Sequence, residues 1–115
     1  MQEKLTIERV GIVLRPSTPG LKALFYQVKG AFEKHGAEVL IDAISAGMIG
    51  VLGQEFSSMC RMSDILVCIG GDGTLISLAR RSYSYHKPIL GINAGTLGFL
   101  ADINPSEMES FIDKL

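Results

Sequence analysis

The strongest structural signal in this chain is a run of ten residues, ILVCIGGDGT, at positions 65–74. The first five, residues 65–69, are continuously apolar, a pattern typical of a parallel strand that is covered on both faces. The glycines then predict a tight turn over residues 70–74, and the helical spacing of the apolar residues after it predicts a helix that begins near Thr74. The run therefore predicts a buried strand, a glycine turn and a helix in direct succession.

Apolar patterning predicts further strands and helices on both sides of this run. Short apolar runs predict strands at residues 10–14, 37–41 and 88–92. Helical spacing predicts a helix at residues 19–34, which Ser17 or Thr18 is expected to cap and Gly36 to end in the left-handed conformation. A final helix is predicted from Asn104, because a capping residue there is followed by proline and an acidic residue.

Residues 43–62 carry the weakest pattern. Three glycines interrupt them, so we expect a loop-rich segment with one short helix at residues 54–61. Across the chain, strands and helices alternate, which implies a parallel sheet with helices on both faces. We therefore expect an α/β fold, a Rossmann-like, open, mostly parallel sheet flanked by helices, formed by one domain over residues 1–115.

Composition excludes several classes of function. The net charge is −1, with 11 basic and 12 acidic residues, so no basic excess favours nucleic-acid binding. No apolar run approaches the ~18 residues that a membrane span needs, and the N-terminus does not resemble a signal peptide. Cys60 and Cys68 lack the spacing of a redox or zinc site. We expect a cytoplasmic protein with small-molecule partners.

Two glycine-bearing turns follow predicted strands, at residues 70–74 and 93–99. About twenty residues separate them, enough for one crossover helix, so the turns should lie side by side. Ligands of open α/β sheets bind beyond the carboxyl ends of the strands. The first turn can cradle a phosphate, because glycines let backbone N–H groups approach oxygen atoms and the next helix presents its positive N-terminus. It has neither the Lys-Ser/Thr pair of a Walker A loop nor a dinucleotide-binding fingerprint.

Asp72 sets this turn apart from a simple phosphate-binding loop. A carboxylate ~4 Å from a phosphate charge costs on the order of 4 kcal/mol at an effective dielectric constant near 20. Two roles would justify it: holding Mg²⁺ against the phosphates, or accepting a proton from an attacking hydroxyl. The structural alternative is that Asp72 caps the next helix or makes an Asx-turn.

The two turns together resemble one family of kinases. GGDGT at residues 70–74 resembles the signature of the superfamily that contains NAD kinases, diacylglycerol and sphingosine kinases, and 6-phosphofructokinases. GINAGTLGFL at residues 91–100 is similar to the Asn-x-Gly-x-x-Gly-Phe-Leu segment of NAD kinases. Lipid kinases have a Pro-x-Gly-Thr-x-Asn-Asp pattern there, which this chain lacks. The resemblance covers the chain from about Val10 onward.

The resemblance implies a transferase that phosphorylates the adenosine 2′-hydroxyl of NAD to give NADP, with ATP or polyphosphate as donor and Mg²⁺ or another divalent metal. The aspartate matching Asp72 is the proton acceptor in that family. We expect no direct protein ligand for the metal, with Asp72 as the possible exception. The implied nucleotide-binding residues are Gly70, Gly71, Asp72, Gly73, Thr74, Asn93, Gly95 and Phe99. Among them, Gly73 lies against the NAD ribose, Thr74 beside the phosphates and Phe99 near the adenine.

Family members also have a β-rich C-terminal NAD-binding domain, which this sequence does not include. We therefore expect the chain alone to be catalytically incomplete. We also expect it to associate into a homo-oligomer, with Phe111 and Leu115 of the final helix as candidate contacts. Two other functions stay open at this point. One is a lipid or sugar kinase of the same superfamily, and the other is a non-catalytic nucleotide-binding module.

Overall fold

A single sheet runs through the computed structural model, which describes residues 7–94 and the backbone of residues 98 and 99. Its strands are β1 (Arg9–Leu14), β2 (Glu38–Ile41), β3 (Ile65–Gly70), β4 (Ile89–Asn93) and β5 (Gly98–Phe99). The strand order is β2-β1-β3-β4-β5. The first four strands are parallel, and β5 pairs antiparallel with β4. The expected open, mostly parallel α/β sheet is confirmed.

Four α-helices flank the sheet within the described residues: α1 (Lys22–Lys34), α2 (Ala43–Ile49), α3 (Phe56–Met62) and α4 (Asp72–Ser82). Short 3-10 turns precede α1 at Pro19–Leu21 and follow α4 at Tyr83–Tyr85. None of these helices is long and apolar enough to cross a membrane. The final helix predicted from Asn104 lies outside the described residues.

The two faces of β3 belong to different hydrophobic clusters. Ile65, Val67 and Ile69 pack into the cluster that contains the buried residues of α1 and α2. Leu66 and Cys68 point the other way, into the cluster that contains the buried residues of α3 and α4. All six residues of β3 are buried. The prediction that the apolar run is a strand covered on both faces is therefore confirmed.

The first helix ends as predicted but begins differently. Phe25, Val28 and Phe32 form its buried stripe, and Gly36 follows with a φ of +87°, the left-handed conformation that glycine tolerates best. The expected cap is wrong: neither Ser17 nor Thr18 forms a side-chain cap. The Thr18 hydroxyl instead donates a hydrogen bond to the Pro16 carbonyl at 2.9 Å, within the loop that leaves β1.

The loop-rich prediction for residues 43–62 is wrong over its first part. Residues Ala43–Ile49 form α2, because the Asp42 carboxylate accepts a hydrogen bond from Ser45 N at 3.2 Å and caps the helix. The Ser45 hydroxyl in turn accepts one from Leu14 N at 3.0 Å, which ties α2 to the end of β1. These contacts outweigh the low helix propensity of the glycine within α2. The predicted short helix is confirmed as α3.

The strand order creates a topological switch point between β1 and β3, at the carboxyl edge of the sheet. From β1 the chain crosses to β2 on one side and then returns past β1 to form β3 and β4 on the other. The carboxyl ends of β1 and β3 are therefore adjacent while the connections leaving them turn in opposite directions. Such a topological switch point is where open α/β sheets form a crevice for ligands.

Candidate functional site

The glycine turn lies at the carboxyl end of β3, beside this switch point. Gly70 is the last residue of β3, Gly71 is the N-cap residue of the next helix, and Asp72 is the first residue of α4. The helix thus begins two residues before the position predicted from the apolar spacing, so Gly73 and Thr74 belong to its first turn. Because the first N–H groups of a helix have no intrahelical acceptor, this end of α4 presents donors to an anion.

Gly70 is required by close packing across the turn. A Cβ atom there would lie 2.8 Å from Oγ1 of Thr74 and 3.0 Å from Cβ of Arg15. Real Cβ atoms essentially never approach another heavy atom within 3.0 Å, so a side chain at position 70 would displace the turn. At Gly71 and Gly73, by contrast, an added Cβ would meet nothing within 4 Å. These two glycines face open space in which a ligand can approach the backbone.

Asp72 is exposed and does not perform the structural role considered for it. It lies inside the first turn of α4, and the N-cap position belongs to Gly71, so Asp72 does not cap the helix. Within residues 7–94, no hydrogen bond or ion pair engages its carboxylate. A negative charge in the first turn is favourable for the helix dipole. The carboxylate is otherwise free to act on a ligand at the turn.

The second turn meets the first, as predicted. Gly70 and Asn93 are register partners at the ends of β3 and β4, and Ala94 N donates a hydrogen bond to the Gly70 carbonyl at 2.8 Å. The sheet therefore brings Asn93 beside the glycine turn. Gly95 lies outside the described residues. Only the backbone of Phe99 is described, as the β5 partner of Ile92.

A groove of about 320 Å³ opens on the β1 side of the glycine turn, and we call it the α4 groove. It is lined by Val13, Leu14, Pro16, Gly73, Thr74, Ser77 and Arg81. Its volume lies within the range of small-molecule sites. The sequence predicted Gly73 and Thr74 as site residues but did not predict the contribution of β1. The spacing of Gly73, Ser77 and Arg81, four residues apart on one helix, is the signal that would have revealed this face.

Arg81 occupies the far end of the α4 groove from Asp72. Its guanidinium carbon lies 4.0 Å from the centroid of the Phe56 ring, a cation–π contact between α4 and α3. Phe56 itself packs against the second hydrophobic cluster. This contact orients the guanidinium.

The remaining titratable groups do not suggest a second reactive centre. Burial raises the pKa of the Cys68 thiol to about 12, and burial is also the main cause that raises the pKa of Cys60. Neither thiol is therefore an activated nucleophile. Nowhere in the described part of the chain do three His, Cys, Asp or Glu side chains converge as a metal site would require.

Fold and site define a class of protein: an open, doubly wound α/β domain with a glycine turn at its topological switch point and an exposed carboxylate in that turn. The family model described as the ATP-NAD kinase N-terminal domain matches residues 10–115. The chain therefore belongs to the ATP-NAD kinase family, within which it corresponds to the N-terminal domain.

Curated relatives named NAD kinase agree with this assignment. The chain is 56% identical to the protein of Wolinella succinogenes over 115 residues, which is 100% of this chain and 40% of that relative. It is 50% identical to the protein of Sulfurimonas denitrificans over 109 residues, covering 95% of this chain and 38% of that relative. For Helicobacter hepaticus the identity is 45% over 109 residues, covering 95% and 36%. The chain thus spans about two-fifths of the length of these relatives.

Proposed function

We propose that the protein containing this chain phosphorylates the adenosine 2′-hydroxyl of NAD to give NADP, with Asp72 as the catalytic base. The observation that carries this proposal is the state of Asp72: an exposed carboxylate without a described partner, between two glycines that face open space. In a turn that only bound phosphate, the repulsion between this carboxylate and the phosphate would outweigh the smaller gain from the helix dipole. The curated relatives that this chain matches in sequence are named NAD kinase.

In the proposed reaction, Asp72 accepts the proton of the ribose 2′-hydroxyl as its oxygen attacks the terminal phosphoryl group of the donor. A new O–P bond forms, and the bond between that phosphorus and the leaving phosphate oxygen breaks. Because phosphoryl transfer needs little covalent assistance, positioning and charge stabilisation supply most of the catalysis. We assign to the first-turn N–H groups at Gly73 and Thr74 the role of stabilising negative charge on the phosphates, since these groups have no intrahelical acceptor.

A divalent metal fits this site only if the substrate brings most of its ligands. Asp72 is the carboxylate of the turn, and Mg²⁺ commonly binds through one or two carboxylates together with substrate phosphates. When bound, Mg²⁺ supplies charge neutralisation on the phosphate oxygens. Asp72 would hold it from the protein side, which competes with its role as a base.

The other proposed roles complete the pocket around the turn. We assign Gly70, Gly71, Asn93, Gly95 and Phe99 to the nucleotide-binding surface, with Phe99 near the adenine of NAD. The proposed donor is ATP or polyphosphate. We further propose that a β-rich C-terminal domain supplies the rest of the NAD pocket, and that the full-length protein acts in the cytoplasm as a homo-oligomer.

The test is NADP formation from NAD, ATP and Mg²⁺ by the full-length protein and its Asp72→Asn variant. Removing a general base should lower kcat by roughly 10²–10⁴-fold while circular dichroism stays unchanged. Glu33→Gln is the matched control, since it removes an exposed carboxylate of α1 that pairs only with Lys29. Full activity of the Asp72→Asn variant would show that another group is the catalytic base. A folded protein without activity towards NAD would favour a lipid or sugar acceptor, or a binding module.

A further inference from the structure

The proposed base does not line the α4 groove. Beside apolar residues from β1 and the loop after it, the groove holds one cationic side chain, Arg81, and the hydroxyls of Thr74 and Ser77. We infer that it binds the polyphosphate chain of the phosphoryl donor and that Arg81, held against Phe56, is the residue that sets donor affinity. This inference rests on the proposed function and deepens it, because it assigns the donor side of the same site. The shared ligand chemistry is a chain of phosphoanhydrides, as in a nucleoside triphosphate or in inorganic polyphosphate.

The lining residues of α4 form one continuous track. Gly73, Ser77 and Arg81 recur every four residues, so they lie on one face of the helix. At 1.5 Å per residue, the track extends about 12 Å from the first turn to Arg81. Backbone N–H groups stand at one end, a hydroxyl in the middle and a guanidinium at the other end. An extended anionic ligand could contact all three kinds of group along this face of the helix.

Arg81 has the charge, geometry and availability to bind phosphate. Its planar guanidinium can donate two parallel hydrogen bonds to phosphate oxygens. No ion pair to a carboxylate occupies it among residues 7–94. The Phe56 ring, 4.0 Å from the guanidinium carbon, restricts the side chain before any ligand arrives. Less conformational entropy is then lost when the donor binds.

Sheet order favours the donor as the occupant of this groove, which NAD would border only at Gly73, beside Asp72. The turn after β3 has β1 on one side and β4 on the other. Asn93, proposed to shape the NAD pocket, lies on the β4 side, and the α4 groove lies on the β1 side. Asp72 stands between the two. A hydroxyl acceptor on one side and a phosphoryl donor on the other would meet at its carboxylate.

Charge balance supports the same assignment. Asp72 repels the phosphates that must come close to it, because both groups carry negative charge. A cation farther along the groove attracts the phosphates of the donor that are not transferred, and this attraction offsets the repulsion from Asp72. Arg81 supplies this charge at a position from which it does not neutralise the base.

The experiment compares Arg81→Gln and Arg80→Gln in the full-length protein. Arg80 is the adjacent residue of α4, is also exposed and does not line the groove, so its variant controls for net charge and helix stability. We expect Arg81→Gln to raise KM for the donor about tenfold to a hundredfold, with KM for NAD unchanged. Arg81→Lys should fall between wild type and Arg81→Gln, because it keeps the charge and loses the planar pair of donors.

Kinetics with two donors and a direct binding measurement distinguish a failure of this inference from a failure of the proposed function. Kinetics with ATP and with tripolyphosphate should show the Arg81→Gln effect for each donor that the wild type uses. Isothermal titration with the non-hydrolysable analogue β,γ-methylene-ATP, without NAD, should show the same loss of affinity. This binding result reports on the groove even if the protein does not phosphorylate NAD.

Specific results would overturn the inference while leaving the proposed function intact. One is an active Arg81→Gln enzyme with an unchanged donor KM. Another is an equal rise in donor KM for Arg80→Gln, which would indicate a long-range charge effect. If Arg81→Gln does not fold, Phe56→Leu keeps an apolar side chain and releases the guanidinium. A rise in donor KM in that variant supports the inference, and an unchanged KM contradicts it.

Discussion

Gly70 and Thr74 pack so closely across the turn between β3 and α4 that a Cβ atom at position 70 would lie 2.8 Å from Oγ1 of Thr74. The same Cβ would lie 3.0 Å from Cβ of Arg15, at the end of β1. Three segments therefore converge on one glycine: the end of β3, the first turn of α4 and the loop that leaves β1. This packing sets the position of Asp72 relative to the α4 groove.

Gly70→Ala should destabilise the protein and disturb the site together. The added methyl group would lie 3.0 Å from Cβ of Arg15 and 3.1 Å from Cβ of Thr74. A Cβ atom cannot move without its backbone, so overpacking should cost about 1–3 kcal/mol. Urea unfolding of the full-length protein measures the free energy, and NADP formation measures the effect on the site. Unchanged stability would show that the turn can relax around position 70.

Gly71→Ala is the matched control for that steric effect. An added Cβ there meets nothing within 4 Å, and its φ of −136° suits any residue. We expect the free energy of unfolding to change by less than about 1 kcal/mol, because alanine restricts the unfolded chain but is a poorer N-cap residue than glycine. Substrate affinity should still fall if phosphates approach this backbone. An unaffected KM for both substrates would place the ligands elsewhere.

Gly73→Ala should separate stability from activity. Gly73 lies within the first turn of α4, where alanine is favoured over glycine by up to about 1 kcal/mol, and its Cβ would enter open space. We expect a higher Tm and a lower kcat/KM, since the methyl group occupies space proposed for substrate. A variant that is both more stable and fully active would remove Gly73 from the binding surface.

Asp64 should contribute a pH-dependent part of the stability. Its carboxylate accepts hydrogen bonds from Arg9 N at 2.9 Å and Glu8 N at 2.8 Å, and these hold the pKa of Asp64 below its ordinary value. A lowered folded-state pKa stabilises the protein above the unfolded-state value, near 3.9, and that contribution is lost as the pH falls through the folded-state pKa.

Asp64→Asn tests this contribution. At pH 7 we expect the variant to lose about 1–2 kcal/mol of unfolding free energy relative to wild type, and the difference should shrink below about pH 4. Glu38→Gln is the control, because it breaks only an exposed ion pair with Arg9 and should cost less than about 1 kcal/mol. A wild-type advantage that does not change with pH would exclude the carboxylate charge as its cause.

Cys60 and Cys68 should react only when the domain opens. Both side chains are fully buried, and burial raises the pKa of Cys68 to about 12, so thiolate is scarce at pH 8. Labelling with Ellman's reagent, followed by peptide mass spectrometry, should proceed at the rate of unfolding and be rapid in urea. Rapid labelling of either residue in the native protein would contradict the described packing.

Local sequence patterns were sufficient to predict the centre of the candidate site, which is the glycine turn after β3. A continuous apolar run followed by glycines has few structural solutions, so β3, the turn and the placement of Asp72 at its end were predictable. Alternation of strands and helices implied parallel strands, and parallel neighbours bring the turns after β3 and β4 to one edge. Gly70 and Asn93 accordingly lie in register, as expected.

Residues 43–49 show where local reasoning is insufficient. Glycine lowers helix propensity by about 1 kcal/mol, and that signal favoured a loop. The helix exists because Asp42 caps it and because Ala46 and Ile49 are buried in the first hydrophobic cluster. The tertiary contacts of the segment outweigh its propensity, and they are absent from any short window of sequence.

The α4 groove depends on contacts between residues distant in the chain. Alternation of strands and helices does not specify on which side of β1 the next strand adds, so the switch point between β1 and β3 emerges only from packing of the whole sheet. Phe56 and Arg81 meet because α3 and α4 cover the same face. Composition and spacing thus place Asp72, the proposed base, whereas the groove beside it and the orientation of the Arg81 guanidinium depend on packing between elements that are distant in the chain.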